Sequence, residues 1–126
     1  FASVGTNDLT QYTHAVDRMN ADLIDYFQSM SPAMFRLLGT VFSEFNQAGK
    51  PISVCGELAG NPAGALVLIG LGLRKLSMNG ANIAHVKQTI SKFTLAEMET
   101  IAAEAKAKAT QEEVVEFLRK QIAEHE

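Results

Sequence analysis

The chain is predicted to form an α/β fold in which short parallel strands alternate with helices. Apolar strand candidates at 1–4 and 52–55 each run into a glycine followed by polar residues. Between them, a segment that begins at Ser31-Pro32 carries apolar side chains at helical spacing until Gly49. Strand, helix and strand in this order favour right-handed crossovers and a parallel sheet.

The first strand is followed by turn chemistry in Gly5-Thr6-Asn7-Asp8. These polar residues are therefore predicted to lie on a loop at the strand's carboxyl end, where the sites of parallel sheets occur. A short helix is expected over 9–16. The segment 19–30 then connects to the next helix and is predicted to bury four apolar side chains: Leu23, Ile24, Tyr26 and Phe27.

The second and third units repeat this plan. Strand 52–55 ends at Gly56-Glu57, and Asn61-Pro62 is a helix cap followed by proline at the first helical position. The apolar helix that follows runs to Gly70-Leu71-Gly72, which is typical of a helix end. Residues 75–78 predict a third short strand.

Three helical segments are predicted after the last strand, near 83–92, 95–108 and 111–124. The last two begin with capping boxes, in which a threonine precedes a glutamate by three residues: Thr94 with Glu97, and Thr110 with Glu113. The whole chain, 1–126, is predicted to be one domain, with β/α units over 1–93 and C-terminal helices over 94–126.

Three parallel strands alone would leave open edges and an uncovered face. The fold is therefore expected to be the C-terminal portion, about the last three β/α units, of a TIM-type (β/α)8 barrel with a helical tail, since a whole barrel takes about 250 residues. Phe1 begins directly on a strand, which predicts a piece of a longer protein. The apolar faces of such a piece would need partners.

Composition excludes several classes of function. The net charge is -3 and the sequence pI about 5.6, so no bulk attraction to nucleic acid is expected. No secretory signal begins the chain, and a single cysteine cannot form an internal disulfide, so the cytoplasm is the expected location. The longest apolar run is interrupted by glycines and is too short for membrane insertion.

The candidate functional residues follow the two strands. Asn7 can donate to an oxyanion, Asp8 is a hard oxygen ligand of the kind that Mg²⁺ selects, and Arg18 offers a planar fork to a phosphate. Taken singly, the Asn-Asp pair is explained by a turn and Arg18 by a surface ion pair. Their conjunction favours a phosphate site.

Cys55 is the candidate proton donor. A lone cysteine after valine is most often a small buried hydrophobe, but here Gly56 permits close approach of a ligand and Glu57 could orient the thiol or a water. The three histidines show no metal-ligand spacing with one another or with Cys55, so a zinc site is not expected.

These motifs resemble a known family. GTNDLTQYTHAVDR at 5–18, SP at 31–32, CGELAGNP at 55–62 and LGLRKLSMN at 71–79 are similar to the C-terminal phosphoenolpyruvate-binding barrel of enzyme I of the bacterial phosphotransferase system, over about residues 1–118. Residues 51–54 are similar to the nitrogen-related paralogue of enzyme I, so the sugar and nitrogen branches both stay open.

The resemblance implies phosphoryl transfer from phosphoenolpyruvate to a histidine of the enzyme and on to a histidine-containing phosphocarrier protein, with release of pyruvate. It implies that Asp8 is one of two carboxylate ligands of Mg²⁺, that Asn7 and Arg18 bind the phosphoryl group, and that Cys55 protonates the enolate. Glu57 is assigned to orienting the substrate or the thiol. The resemblance also implies a homodimer.

The second Mg²⁺ carboxylate, two further arginines and the phosphorylated histidine of the family would lie upstream, so the fragment alone is expected to be inactive. Arg74-Lys75 and Asn79 depart from residues common among relatives, with no evident consequence. Two other functions stay open. One is a phosphoenolpyruvate synthase or pyruvate phosphate dikinase, and the other is a non-catalytic interaction module built on the helices of 83–126.

Overall fold

A computed structural model describes all 126 residues as two short strands and seven α-helices. No helix combines the length and the apolar character that crossing a membrane requires. The strands are β1 (Ala2–Gly5) and β2 (Ile52–Cys55); a 3-10 helix spans Ala21–Tyr26; and the helices are α1 (Thr6–His14), α2 (Pro32–Gln47), α3 (Glu57–Gly60), α4 (Pro62–Gly70), α5 (Gly80–Ile90), α6 (Leu95–Ala107) and α7 (Gln111–Glu124).

The sheet is small and parallel. β1 and β2 pair in register from Ala2 with Ile52 to Gly5 with Cys55, which confirms the predicted parallel α/β arrangement. The strand predicted over 75–78 is reduced to one parallel bridge between Leu76 and Val54. The chain makes only this bridge before it turns into α5, so no third strand forms, and the barrel stays a prediction.

Helices cover the sheet and build the core. The Ser31 hydroxyl accepts a hydrogen bond from the Met34 N–H and caps α2, as predicted from Ser31-Pro32. The apolar face of α2 is then buried against α4 and α6. The fully buried side chains include Phe35, Leu38 and Phe42 of α2, Leu66 and Leu68 of α4, and Val114 and Leu118 of α7.

Two local predictions are wrong. Helix α1 begins at Thr6, so Asn7 and Asp8 lie in its first turn and not on a loop. The segment 19–30 leaves Ile24 52% exposed and Tyr26 65% exposed, where burial was predicted. The 3-10 helix in this segment contains no buried residue. The positions of Asn7 and Asp8 at the carboxyl end of β1 are unaffected.

The two predicted capping boxes differ. At α6 the Glu97 N–H donates to the Thr94 hydroxyl while the Thr94 N–H donates to the Glu97 carboxylate, which completes the box. At α7 the Thr110 hydroxyl accepts from Glu113 as predicted, but the Glu113 carboxylate accepts from the Ala109 N–H. The reciprocal bond to Thr110 is therefore absent.

The α6 box predicts a pH dependence of stability. Hydrogen bonds from the Thr94 backbone and hydroxyl, with a smaller effect from His125, hold the pKa of Glu97 below its usual 4.5. A pKa that is lower in the folded state adds stability above about pH 4.5, and this is lost as the pH falls through the lowered pKa. We expect the difference in Tm between wild type and Glu97→Gln to shrink with acidification. Parallel Tm curves at all pH values would contradict the effect.

Candidate active site

The carboxyl ends of both strands meet at one edge of the sheet. Gly5 and Cys55 are register partners, and α1 and α3 begin immediately beyond them. The fully buried Thr6 hydroxyl donates to the Cys55 carbonyl at 3.3 Å, which ties the start of α1 to the end of β2. Residues 49 positions apart in sequence are thus joined at this edge.

Asp8, on the first turn of α1, forms an ion pair with Arg18, which follows the helix. The Arg18 guanidinium lies 3.6 Å from the Asp8 carboxylate, with side chains 38% and 72% exposed. Ala15 adopts a left-handed conformation, φ 53°, and turns the chain back after α1. The Arg18 N–H then donates to the Gln11 side-chain oxygen at 3.2 Å. Because Gln11 follows Asp8 by three residues, both lie on one helix face and fix Arg18 from two points.

Gly56 brings the second strand end close to Asn7. Its backbone φ of 105° is one that residues with a side chain rarely adopt. A Cβ there would lie 3.1 Å from the Thr6 hydroxyl oxygen and 3.9 Å from the Asn7 amide nitrogen. Glycine therefore serves both the turn and the close approach of the two segments, while its predicted role in the approach of a ligand stays a prediction.

Cys55 is half-buried and has polar contacts. Its Sγ accepts from the Ser3 hydroxyl at 3.7 Å and donates to the Val4 carbonyl at 3.5 Å. Cys55 also lines an open depression, together with Glu57, Ser77, Met78, Asn79 and Asn82. Glu57 is exposed on the first turn of α3. A small molecule in this depression would lie beside Cys55 and Glu57.

The structure brings the predicted residues together in two groups. Asp8 pairs with Arg18, and Cys55 shares its depression with Glu57, while Asn7 lies between the groups beside Gly56. No direct contact joins Arg18 to Cys55. Three positioning side chains were missed: Thr6, Ser3 and Gln11. The spacing of three residues between Asp8 and Gln11 could have predicted that both lie on one helix face. The contact of Ser3 with Cys55 on the neighbouring strand could not be predicted from spacing.

Two of the residues that depart from those common among relatives, Arg74 and Asn79, have structural roles. The Arg74 guanidinium donates to the Ile69 and Leu73 carbonyls at the end of α4, at 2.9 and 2.8 Å. The Asn79 side chain accepts from the Ala81 N–H and caps α5, which begins at Gly80, earlier than predicted. Lys75 is exposed, and nothing in the structure explains its identity.

The residues present fit a part of a Mg²⁺ site. Asp8 offers an exposed carboxylate, the ligand type that Mg²⁺ prefers, beside the amide of Asn7. No group of three or more histidine, cysteine, aspartate or glutamate side chains is placed to hold a metal within this chain. Asp8 therefore fits as one ligand of a site that other groups would have to complete.

Comparison with known proteins identifies the family of this chain. Residues 1–95 match the family described as PEP-utilising enzyme, PEP-binding domain. The chain is 39% identical to the phosphoenolpyruvate-protein phosphotransferase of Borreliella burgdorferi and 41% to that of Listeria monocytogenes, covering 98% of this chain and 22% of each relative. It is 46% identical, over 81% of its length and 14% of the relative, to an Escherichia coli protein named phosphoenolpyruvate-dependent phosphotransferase system.

The chain thus spans about a fifth of the length of the first two relatives, at 22% of each. The match to the family covers the first strand, the Asn-Asp turn of α1, Arg18 and the Cys-Gly-Glu segment. The resemblance to enzyme I that the motifs indicated is confirmed. The chain therefore belongs to the family of phosphoenolpyruvate-binding domains of phosphoenolpyruvate-utilising enzymes.

Proposed function

We propose that this chain supplies part of the site at which phosphoenolpyruvate gives its phosphoryl group to a histidine of the enzyme, from which it passes to a histidine-containing phosphocarrier protein. The observation that supports this most strongly is the meeting of the Asp8–Arg18 pair, Asn7 and Cys55 at one carboxyl edge of the sheet. The names of the relatives favour a phosphotransferase over a synthase or dikinase.

The Asp8–Arg18 pair suits a substrate that carries a metal ion and an oxyanion together. Mg²⁺, when bound, would neutralise charge on the phosphate and carboxylate of phosphoenolpyruvate. Asp8 would be one of its ligands. Arg18, held by Gln11 through its backbone, would turn its guanidinium from the carboxylate to the phosphoryl oxygens. Both side chains are exposed enough to make this exchange without unfolding α1.

The other edge of the site would serve the enolate. Asn7 would donate its amide to the phosphoryl group, since that amide faces the space that Gly56 leaves open. Cys55 would give its proton to the enolate carbon as the phosphorus–oxygen bond breaks, so that pyruvate leaves and the thiolate is left behind. Glu57, on the same depression, would orient the substrate or the thiol.

The proposed activity belongs to the full-length polypeptide and not to these residues alone, because one carboxylate and one arginine do not complete a site for Mg²⁺ and phosphoenolpyruvate. We place it in a cytoplasmic homodimer. Four large apolar side chains near α1 and the 3-10 helix are exposed, and a second subunit would cover them: Tyr12, Met19, Ile24 and Tyr26.

The interaction-module alternative has less support from the tail. Helices α6 and α7 bury their apolar faces in the core, through Ile101, Ala105, Val114 and Leu118. These helices therefore complete the fold of the domain, and the apolar side chains that they bury in the core are not free for a partner.

Replacement of Asp8 by asparagine tests the metal assignment. In the full-length polypeptide, Asp8→Asn is expected to weaken Mg²⁺-dependent binding of phosphoenolpyruvate on the order of tenfold to a hundredfold, because a charged ligand is lost while the shape is kept. Isothermal calorimetry with and without Mg²⁺ measures the change. Asp25→Asn, an equal loss of charge at an exposed position, is the matched control. Unchanged affinity in Asp8→Asn would overturn the assignment.

A further inference from the structure

We propose that a cavity between α4, α5 and α7 binds a small organic anion, a carboxylate on a short branched apolar body. The cavity has a volume of about 550 Å³, which is within the range of small-molecule sites. None of the residues assigned to phosphoenolpyruvate lines it. The proposal therefore does not depend on the proposed function.

One wall of the cavity is a polar face of α5. His85, Gln88 and Thr89 line it, and their spacing of three and four residues places them on one side of the helix. Lys92, in the turn just after the end of α5, lines the same cavity. Asn61, the cap of α4, adds an amide whose nitrogen has no hydrogen bond within the chain. Donors from two elements thus face the same space.

Thr89 is the residue that most strongly indicates a ligand. It is only 6% exposed, yet its hydroxyl makes no hydrogen bond within the chain. The helical residues Thr10, Thr40 and Thr100 differ, because each donates to the carbonyl four residues earlier. No side-chain oxygen is both sealed from solvent and unpartnered, so the Thr89 hydroxyl keeps some accessible surface, and Thr89 lines the cavity. A ligand in the cavity can take the place of water as the partner of this hydroxyl.

The charge and the apolar lining define the ligand class. Lys92 is exposed and forms no ion pair, whereas Arg119 is already paired with Glu116, so Lys92 is the available cation. One carboxylate, Glu126, also borders the cavity. The remaining wall is apolar and suits a branched alkyl group: Met30, Pro62, Ala63, Val115, Ile122 and Ala123. Hydroxyl, amide and ammonium donors select the carboxylate.

The test uses the full-length polypeptide with ¹³C-labelled methyl groups, titrated with isovalerate. Saturable shifts are expected at the methyls of Met30, Val115 and Ile122, which line the cavity. The neutral alcohol 3-methylbutan-1-ol has the same branched body without the charge, and we expect it to bind at least about tenfold more weakly. Absence of saturable shifts, or equal binding of acid and alcohol, would overturn the proposal.

Two variants test the named donors. Thr89→Val keeps the shape and removes the hydroxyl, and it is expected to weaken isovalerate binding about three- to tenfold. Lys92→Gln, at the surface, is expected to weaken it about tenfold. Lys87→Gln is the matched control, because Lys87 lies on α5 but does not line this cavity. Wild-type affinity in both Thr89→Val and Lys92→Gln would refute the site even if isovalerate binds.

Discussion

Alanine at Gly70 is expected to destabilise the chain by about 3 kcal/mol, the upper part of the range for overpacked cores. Helix α4 packs against α6, and Gly70 lies at this contact. A Cβ on Gly70 would lie 2.0 Å from the Met98 carbonyl oxygen and 2.8 Å from the Ala102 side chain. Since the obstacles are a backbone carbonyl group and a rigid methyl group, the helices would have to move apart.

Urea denaturation followed by circular dichroism measures this loss, because seven helices give a strong signal. Gly80→Ala is the matched control: it also lies in a helix, but a Cβ there meets nothing within 4 Å. We expect its midpoint to equal or slightly exceed that of wild type, because alanine favours helix. If Gly70→Ala and Gly80→Ala unfold at the same urea concentration, the close approach of α4 and α6 is not what the structure indicates.

Serine at Cys55 is expected to lower kcat for phosphoenolpyruvate-dependent phosphoryl transfer about 10²- to 10⁴-fold in the full-length polypeptide. The hydroxyl occupies nearly the same place as the thiol but is a much weaker acid, so the enolate would not be protonated efficiently. Binding of phosphoenolpyruvate with Mg²⁺ is expected to change little, because the proposed ligands Asp8 and Arg18 are untouched.

Steady-state assays of pyruvate release, beside calorimetry of substrate binding, separate the two effects. Ser3→Ala removes the hydroxyl that contacts the Cys55 sulfur at 3.7 Å without changing the thiol, and it is expected to have a much smaller effect on kcat. A Cys55→Ser protein with wild-type kcat would exclude the thiol as the acid and return Cys55 to the role of a packing residue.

Much of the fold could be predicted from local signals. Ser31-Pro32 and Asn61-Pro62 start helices as predicted, and the short apolar runs form parallel strands. These features depend on neighbours in sequence, because a cap side chain bonds the N–H groups two or three residues ahead. Two of the predictions that were wrong concern the segment 75–78, which makes one bridge, and the segment 19–30, which exposes Ile24 and Tyr26.

Those two failures share a cause. Whether an apolar run is a full strand or a buried connector depends on what packs against it, and propensity alone does not report that. Only the tertiary structure supplies these neighbours. The start of α1 at Thr6 is a similar case, because its buried hydroxyl bonds the Cys55 carbonyl across the sheet.

For the candidate site, the sequence by itself determined the chemical types: a hard oxygen ligand in Asp8, an arginine in Arg18, an amide in Asn7 and a thiol in Cys55. It also determined that two of these segments follow parallel strands. Only the tertiary structure decided that Asp8 and Arg18 lie 3.6 Å apart and that the amide of Asn7 faces Gly56. The physical reason is that side-chain types are set residue by residue, whereas their distances are set by the register of β1 with β2 and by the turn at Ala15.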